Sequence, residues 1–222
     1  MDRREFINAK RIVIKLGTNV LRNDEGYVSL PRVYTFIEEI ATLVKSGKEV
    51  IVVTSGAVGL GKKRLDLENT QGTALKQACA AIGQGKLMSI YENGFDTYGL
   101  TAAQILLTED DFSVRERYLS LRTTLNKLLE LGTIPVINQN DTVSTLDVAL
   151  RYVKEDMQVC FSDNDKLSAL VASELDADLL IILSDIDGLY DDNPKTNPNA
   201  KLIKSVEEVN DKILALASGV SD

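Results

Sequence analysis

The sequence predicts an α/β fold in which a mostly parallel sheet lies between two layers of helices, a three-layer αβα sandwich. Apolar runs with few polar interruptions alternate with segments whose apolar residues recur every three or four positions. Strands that are buried on both faces form continuous apolar runs, and parallel strands are joined by helices that cover the sheet. With 222 residues and 44% hydrophobic content, the chain is long enough for one sizeable core in one domain.

The predicted elements follow one another in a regular order. A first strand ends near Lys15, Pro31 opens a helix that ends before Gly47, and a second strand covers residues 50–53. A long helical stretch over residues 70–98 follows, and further strands are expected at 101–107, 133–138 and 178–183. The helix between the first two of these strands has an apolar stripe of Tyr118, Leu121, Leu125 and Leu128. The helix before the last strand begins at an Asp163 N-cap and directs Leu167, Leu170, Val171 and Leu175 inward. Residues 143–161 break this rhythm and suggest a hairpin or lid near a site.

Four of the predicted strands end in a small, polar or charged cluster. The clusters are Lys15-Leu16-Gly17-Thr18, Thr54-Ser55-Gly56-Ala57, Asn138-Gln139-Asn140-Asp141 and Ser184-Asp185. In an open α/β sheet, ligands bind outside the carboxyl ends of the strands. Together the clusters offer a cation, carboxylates and accessible backbone amides, which suit a phosphate group and a small polar substrate.

Composition and charge argue against several classes of function. A net charge of -8 and a pI of about 4.8 give no basic surface for nucleic acid. The charged N-terminus and the short apolar run after it predict neither a signal peptide nor a membrane span, so we expect a cytoplasmic protein. The absence of histidine excludes Ser-His-Asp and His-Cys catalysis and every histidine-ligated metal site. Cys79 and Cys160 lack metal-site spacing, and we expect both to be reduced core residues.

Each cluster on its own also has a simpler interpretation. A lysine at a strand end is more often merely solvated, and Asp163 alone would suffice to cap a helix. Asn138 and Asp141 are ordinary turn residues, as is a Ser-Asp pair after a strand. With Asp163-Asn164-Asp165, the four strand-end clusters make five in order along the chain. Five such clusters at one sheet edge are nevertheless hard to explain by turns alone.

The glycine run at residues 56–63 allows three interpretations. It nearly matches a phosphate-binding P-loop after a strand, but Lys63 stands where Ser or Thr would hold Mg²⁺. It also fits a helix start that glycine makes flexible. We favour a third interpretation, in which Ser55-Gly56-Ala57 is small so that a ligand can reach backbone N–H groups at a helix N-terminus.

Six segments form a combination that is specific when taken together. They are Lys15-Leu16-Gly17-Thr18, Val53-Thr54-Ser55-Gly56-Ala57, Gln104-Ile105-Leu106-Leu107-Thr108, Ile134-Pro135-Val136-Ile137-Asn138-Gln139-Asn140-Asp141, Ser162-Asp163-Asn164-Asp165 and Leu183-Ser184-Asp185-Ile186-Asp187-Gly188-Leu189-Tyr190. The combination resembles the glutamate 5-kinases of the amino acid kinase family over nearly the whole chain. This resemblance implies ATP- and Mg²⁺-dependent phosphorylation of the γ-carboxylate of L-glutamate, the first step toward proline, by a homo-oligomer without a nucleic-acid or membrane partner.

The resemblance also implies roles for individual residues. Lys15 and Asp165 would act in catalysis, and Lys15 would also contact the ATP phosphates. Ser55, Asp141 and Asn164 would bind glutamate, with support from Asp163 and Asn138. Ser184 and Asp185 would bind the nucleotide. Phosphoryl transfer requires that two anions be aligned and their charge neutralised, with little covalent work from the protein. Because a carboxylate nucleophile is already ionised at pH 7, it needs no general base, which fits a chain without histidine.

The family pattern includes parts that residues 1–222 do not contain. These are a glycine-rich GTGGMxTK segment with a second catalytic lysine and the C-terminal PUA domain of some members. We therefore expect a single amino acid kinase domain over residues 1–222 that binds glutamate weakly and ATP poorly on its own. Two alternatives stay open, namely the kinase portion of a bifunctional pyrroline-5-carboxylate synthase and a non-catalytic amino-acid-binding or regulatory module. The presence of Lys15, Asp141 and Asp165 argues against the second.

Overall fold

A five-stranded parallel sheet forms the centre of the fold. The computed structural model describes residues 3–23, 27–67, 71–143 and 164–217. The strands are β1 (Arg11–Leu16), β2 (Glu49–Val53), β3 (Ala102–Leu107), β4 (Ile134–Gln139) and β5 (Leu179–Leu183), in the spatial order β3-β4-β2-β1-β5. Every neighbouring pair is parallel. The predicted sheet is confirmed, and the strand bounds differ from those expected by about one residue.

Helices cover both faces of the sheet. They are a 3-10 helix (Arg3–Asn8) and α1 (Thr18–Leu21), α2 (Leu30–Lys45), α3 (Ala57–Arg64), α4 (Thr73–Asp96), α5 (Asp110–Ser113), α6 (Arg115–Glu130), α7 (Asn164–Glu174) and α8 (Asp211–Ala217). Even-numbered residues of β1 and β2 pack against α2 and α4, and odd-numbered residues pack against α6 and α7. Within the described ranges, no helix has both the length and the apolar character that crossing a bilayer requires. The three-layer αβα sandwich is confirmed.

The apolar stripes predicted from the sequence identify most of the buried helix faces. Helix α2 has Pro31 in its first turn, and Gly47, with a left-handed φ of 88°, follows its end. On α6 the buried leucines are Leu125 and Leu129, whereas Leu128 of the predicted stripe is only partly buried. The buried face of α6 therefore continues from Leu125 to Leu129, one turn later, and not to the predicted Leu128.

The order of the strands creates a crevice between β2 and β4. After β2 the chain forms α3 and α4 on one face of the sheet, and α7 follows β4 on the opposite face. Where neighbouring strands connect to opposite faces, the sheet edge opens, and α/β proteins bind ligands at that point. The clusters that begin at Thr54 and Asn138 therefore flank the opening.

Glycines bring α3 and α4 into backbone contact. A Cβ atom at Gly61 would lie 1.9 Å from the carbonyl oxygen of Cys79, and a Cβ atom at Gly83 would lie 1.8 Å from that of Ala57. The run that resembles a P-loop therefore lies within α3 and faces a neighbouring helix, so the P-loop interpretation is wrong. Gly56 adopts a left-handed φ of 107° at the N-cap of α3, which agrees with the predicted helix N-terminus.

Some sequence predictions concern residues outside the described ranges. The hairpin or lid over residues 143–161 lies outside them except for Val143, and so do Cys160 and the Asp163 N-cap. Cys79 is fully buried and free, as expected for a reduced core residue.

Replacing Gly83 with alanine should destabilise the fold. The added methyl group would overlap the backbone of α3, and overpacking of this kind costs about 3 kcal/mol in free energy of unfolding. Gly85→Ala is the matched control, because nothing lies within 4 Å of a Cβ atom there. It should be neutral or stabilise α4 by up to about 1 kcal/mol, since alanine favours a helix. Urea unfolding measures both, and equal effects would contradict the close helix contact.

Candidate active site

Lys15 is buried at the carboxyl end of β1. Its side chain is only 7% exposed, and it lies on the same face of the sheet as Val13, because alternate residues of a strand share a face. Its Nζ atom lies 2.5 Å from Oδ1 of Asp165, in the first turn of α7. A buried ammonium group costs several kcal/mol unless it is paired, so the two residues depend on each other. The simpler interpretation of Lys15 as a solvated strand-end lysine is wrong.

Side-chain amides connect α4 to α7 across the ends of β2 and β4. Nδ2 of Asn138 donates to Oε1 of Gln84 at 2.9 Å, and Oδ1 of Asn138 accepts from Nδ2 of Asn164 at 3.2 Å. Nδ2 of Asn164 also lies within donating distance of the carbonyl oxygen of Thr54, at 2.7 Å, and of Oγ of Ser55, at 2.8 Å. We call Gln84, Asn138 and Asn164 the amide chain. The structure thus brings together three predicted site residues, Ser55, Asn138 and Asn164.

The other side-chain atom of Asn164 has a different environment. Its Oδ1 is shielded from solvent, and no hydrogen-bond donor reaches it from any residue that the structure describes. A buried acceptor left unpaired costs about 1–3 kcal/mol, and such atoms need an explanation. At a ligand-binding edge, a donor group on a ligand explains this one.

Asp141 lies three residues beyond Asn138, in the turn that follows β4. It is half-buried, and burial raises the pKa of its carboxyl group above the ordinary value. An adjacent cation would favour the ionised form and offset this cost. Asp141 is therefore suited to receive a positively charged ligand group beside the crevice.

On the other side of Lys15, the end of β5 carries an exposed polar surface. A Cβ atom at Gly17 would lie 3.3 Å from Nζ of Lys15, so glycine keeps side-chain bulk away from the ammonium group. Ser184 and Asp185 are exposed, and Asp185 accepts a hydrogen bond from Nδ2 of Asn19 at 3.3 Å. The backbone N–H of Asp185 itself, and after it the Asn19 amide, hold the pKa of this carboxyl group below its usual range.

These groups lie in order across the sheet, with Lys15 in the middle. Strands β4 and β2 lie on one side of β1, and β5 lies on the other. The register pairs Lys15 with Val53 of β2 and with Ile182 of β5, so the polar residues that follow lie at a similar height. Adjacent strands are about 4.8 Å apart. Two small ligands could therefore meet above Lys15, one over β2 and β4 and the other over β5.

Sequence reasoning missed several residues that build this edge. Gln84 is 9% exposed and was not singled out, although a glutamine next to Gly83 on a buried helix face is a usable signal. Asn19 lies just after the Lys15 cluster, and its position near that cluster was the signal available. The hydroxyl groups of Thr54 and Tyr91 lie 2.7 Å apart in the core, a pair that no local pattern predicts. Asp163, which was predicted, lies outside the described residues.

Comparisons with known proteins place the chain among proteins of related sequence. A glutamate 5-kinase of Caldanaerobacter subterraneus subsp. tengcongensis is 48% identical over 210 residues, which are 94% of this chain and 54% of that protein. Glutamate 5-kinase 2 of Bacillus subtilis is 44% identical over 209 residues, 94% of this chain and 53% of that protein. A glutamate 5-kinase of Methanococcoides burtonii is 42% identical, with 94% and 54% covered. The chain thus spans about half the length of the curated relatives it matches.

A solved structure and a family model extend the comparison. The crystal structure of UMP kinase from Ureaplasma parvum matches with a TM-score of 0.58 and 20% identity, covering 94% of this chain and 85% of that one, which shows a shared fold. The model of the amino acid kinase family matches residues 10–219. Because this match includes all five strands and both helices that carry the amide chain, the chain belongs to the amino acid kinase family.

Proposed function

We propose that the protein transfers the γ-phosphoryl group of ATP to the γ-carboxylate of L-glutamate and forms L-glutamyl 5-phosphate, the first step toward proline. The observation that carries the proposal is the position of Lys15, which is buried beside Asp165 between the amide chain and the polar end of β5. A cation at the boundary between two ligand sites is what a transferring phosphoryl group requires. The related glutamate 5-kinases support the choice of substrate.

Glutamate binds over the crevice between β2 and β4. Its α-ammonium group meets Asp141 and Oδ1 of Asn164, two hydrogen-bond acceptors, the second of which has no partner among the residues that the structure describes. The hydroxyl group of Ser55 and the backbone N–H groups at the start of α3 face its carboxylates, since a helix N-terminus favours anions. The γ-carboxylate then points toward Lys15.

ATP binds over β5, with its phosphates directed toward Lys15. Ser184 and Asp185 contact the nucleotide, as the resemblance to the glutamate 5-kinases implies. Bound Mg²⁺ would supply positive charge that offsets the charge of the phosphates, and Asp185, the carboxylate assigned to the nucleotide, would hold the metal–nucleotide complex. The enzyme acts in the cytoplasm as a homo-oligomer.

Transfer requires alignment and neutralisation of charge. The γ-carboxylate attacks as an ionised nucleophile, so no protein group has to remove a proton. Lys15 neutralises charge that spreads over the phosphoryl oxygens in the transition state, and Asp165 holds the lysine in place. Because both atoms of this ion pair are fixed before the ligands arrive, little reorganisation accompanies the reaction.

Trapping of the product tests the proposed function directly. Full-length protein is incubated with L-glutamate, MgATP and hydroxylamine, which converts an acyl phosphate into a hydroxamate that forms a coloured iron complex. We expect hydroxamate to form together with an equal amount of ADP, and much less with L-aspartate or with N-acetylglutamate, which lacks the ammonium group. Release of ADP without hydroxamate, or equal rates with all three compounds, would contradict the proposal.

Lys15→Met should abolish most of the phosphoryl transfer while glutamate still binds. The lysine acts mainly on charge in the transition state, so kcat should fall by about 10²- to 10³-fold, the range for loss of one such donor. Lys10→Met, in an exposed position just before β1, is the control and should keep its turnover. Steady-state kinetics of both full-length variants measure kcat and test this prediction. Near-normal turnover of a folded Lys15→Met protein would remove Lys15 from catalysis.

Asp141→Asn should change stability and glutamate binding in opposite directions. Burial raises the pKa of Asp141 in the folded protein above its unfolded value of about 3.9. Ionising Asp141 therefore destabilises the ligand-free protein as the pH rises from the unfolded pKa to the raised pKa. The asparagine variant cannot ionise and should melt slightly higher at pH 7 without ligand. The KM for glutamate should rise while kcat is roughly kept, because binding is lost equally in the ground and transition states.

Melting curves with and without glutamate, together with KM values, test both parts of this prediction. Asp110→Asn, on an exposed turn of α5, is the matched control and should change neither quantity. In the unchanged protein, affinity for glutamate should fall as pH drops through the raised pKa of Asp141. An equal rise in the KM values for glutamate and ATP would assign Asp141 to the fold instead.

A further inference from the structure

We propose that Gln84 is a positioning residue that sets the hydrogen-bond polarity of the substrate crevice, so that Asn164 presents an acceptor and the site selects substrates with an ammonium group. The inference rests on the proposed function, because it concerns how the same crevice recognises glutamate. Gln84 itself lies in α4 and acts through Asn138 and Asn164.

Two main-chain groups contribute to the orientation of the asparagine amides. The backbone N–H of Gln139 donates to Oδ1 of Asn138 at 2.9 Å, which directs Nδ2 of Asn138 toward Gln84. The carbonyl oxygen of Thr54 can only accept, and Nδ2 of Asn164 lies 2.7 Å from it. Rotating the Asn138 amide by a half turn would place its N–H donors against the N–H of Gln139. The same rotation of Asn164 would place its oxygen against the carbonyl oxygen of Thr54.

Gln84 supplies the acceptor that completes this pattern. Nδ2 of Asn138 is buried and requires a partner, and Oε1 of Gln84 lies 2.9 Å from it. The neighbouring Gly83 is in backbone contact with α3, so α4 holds Gln84 at a fixed distance from the sheet. Loss of Oε1 would leave Nδ2 of Asn138 unpaired and would favour other orientations of the Asn138 amide. Some of these place its Nδ2 against that of Asn164.

The consequence appears at the crevice. Nδ2 of Asn164 lies within donating distance of acceptors on Thr54, Ser55 and Asn138, so its Oδ1 is left as an acceptor without a partner among the described residues. Oδ1 and the Asp141 carboxylate both favour a ligand group that donates hydrogen bonds and carries positive charge. An ammonium group does both, whereas a methylene group in its place would leave Oδ1 buried and unpaired.

The test compares binding of L-glutamate with binding of glutarate, which has the same two carboxylates and no ammonium group. Calorimetry on the full-length protein should find that glutamate binds about 100-fold more tightly than glutarate, a difference in binding free energy of about 2.7 kcal/mol. Gln84→Met keeps the side-chain length and removes the acceptor. It should lower this ratio by about tenfold through weaker glutamate binding, with glutarate affinity and kcat nearly unchanged.

Two further variants make the result specific. Gln84→Glu keeps an oxygen acceptor for Asn138, should preserve the ratio, and supplies the measurement if Gln84→Met does not fold. Tyr91→Phe removes a different buried hydrogen bond of α4, the one to Thr54 Oγ1, and should lower the melting temperature without changing the ratio.

The outcomes separate this inference from the proposed function. A preserved ratio in folded Gln84→Met, or a ratio lost in Gln84→Glu or in Tyr91→Phe, would overturn the positioning role while hydroxamate formation by the unchanged protein still stands. An unchanged protein that binds neither compound and forms no hydroxamate would overturn both.

Discussion

The ion pair between Lys15 and Asp165 is the interaction on which the ligand-facing edge depends. A buried ammonium group without a partner would cost several kcal/mol, so the first turn of α7 must dock against the end of β1. Asn164 and Asp165 are adjacent on α7, and their side chains diverge by about 100°. The docking that pairs Lys15 therefore also carries Asn164 to the ends of β2 and β4. One charge pair thus positions both Lys15 and Asn164 at this edge.

Helix α4 supports the same edge from the other face of the sheet. Its backbone contact with α3 at Gly61 and Gly83 leaves no room for side chains, so the two helices are held at a short distance. Gln84 then ties α4 to Asn138 at the end of β4, and the amide chain continues to α7. The start of α3 and the start of α7 are thus linked through hydrogen bonds and packing, which favours a site arranged before its ligands bind.

Local sequence patterns were sufficient to predict the layers, the parallel sheet and the gathering of polar clusters at one edge, because each depends on periodicity or on strand ends. Contacts between distant residues were not predictable. The glycines of residues 56–63 matched a P-loop because their true partner, α4, is recognisable only in three dimensions. Gln84 and Asn138 are 54 positions apart, and neither sequence environment indicates the other. The roles assigned to Ser184, Asp185 and Asp163 from the resemblance stay predictions.

The signs of the charges along the edge determine how the proposed ligands must be oriented. The chain carries a net charge of -8, and Asp165 already balances Lys15, so binding two anions requires further positive contributions. The N-termini of α3 and α7 supply partial positive charge near the centre of the edge. Asp141 and Asp185 lie at its outer ends, where they would repel a carboxylate or a bare phosphate. In the proposed complex, glutamate would therefore lie with its ammonium group toward Asp141 and its γ-carboxylate toward Lys15. In the proposed complex, the nucleotide would lie beside Asp185 together with Mg²⁺, whose positive charge would offset the repulsion between this carboxylate and the triphosphate.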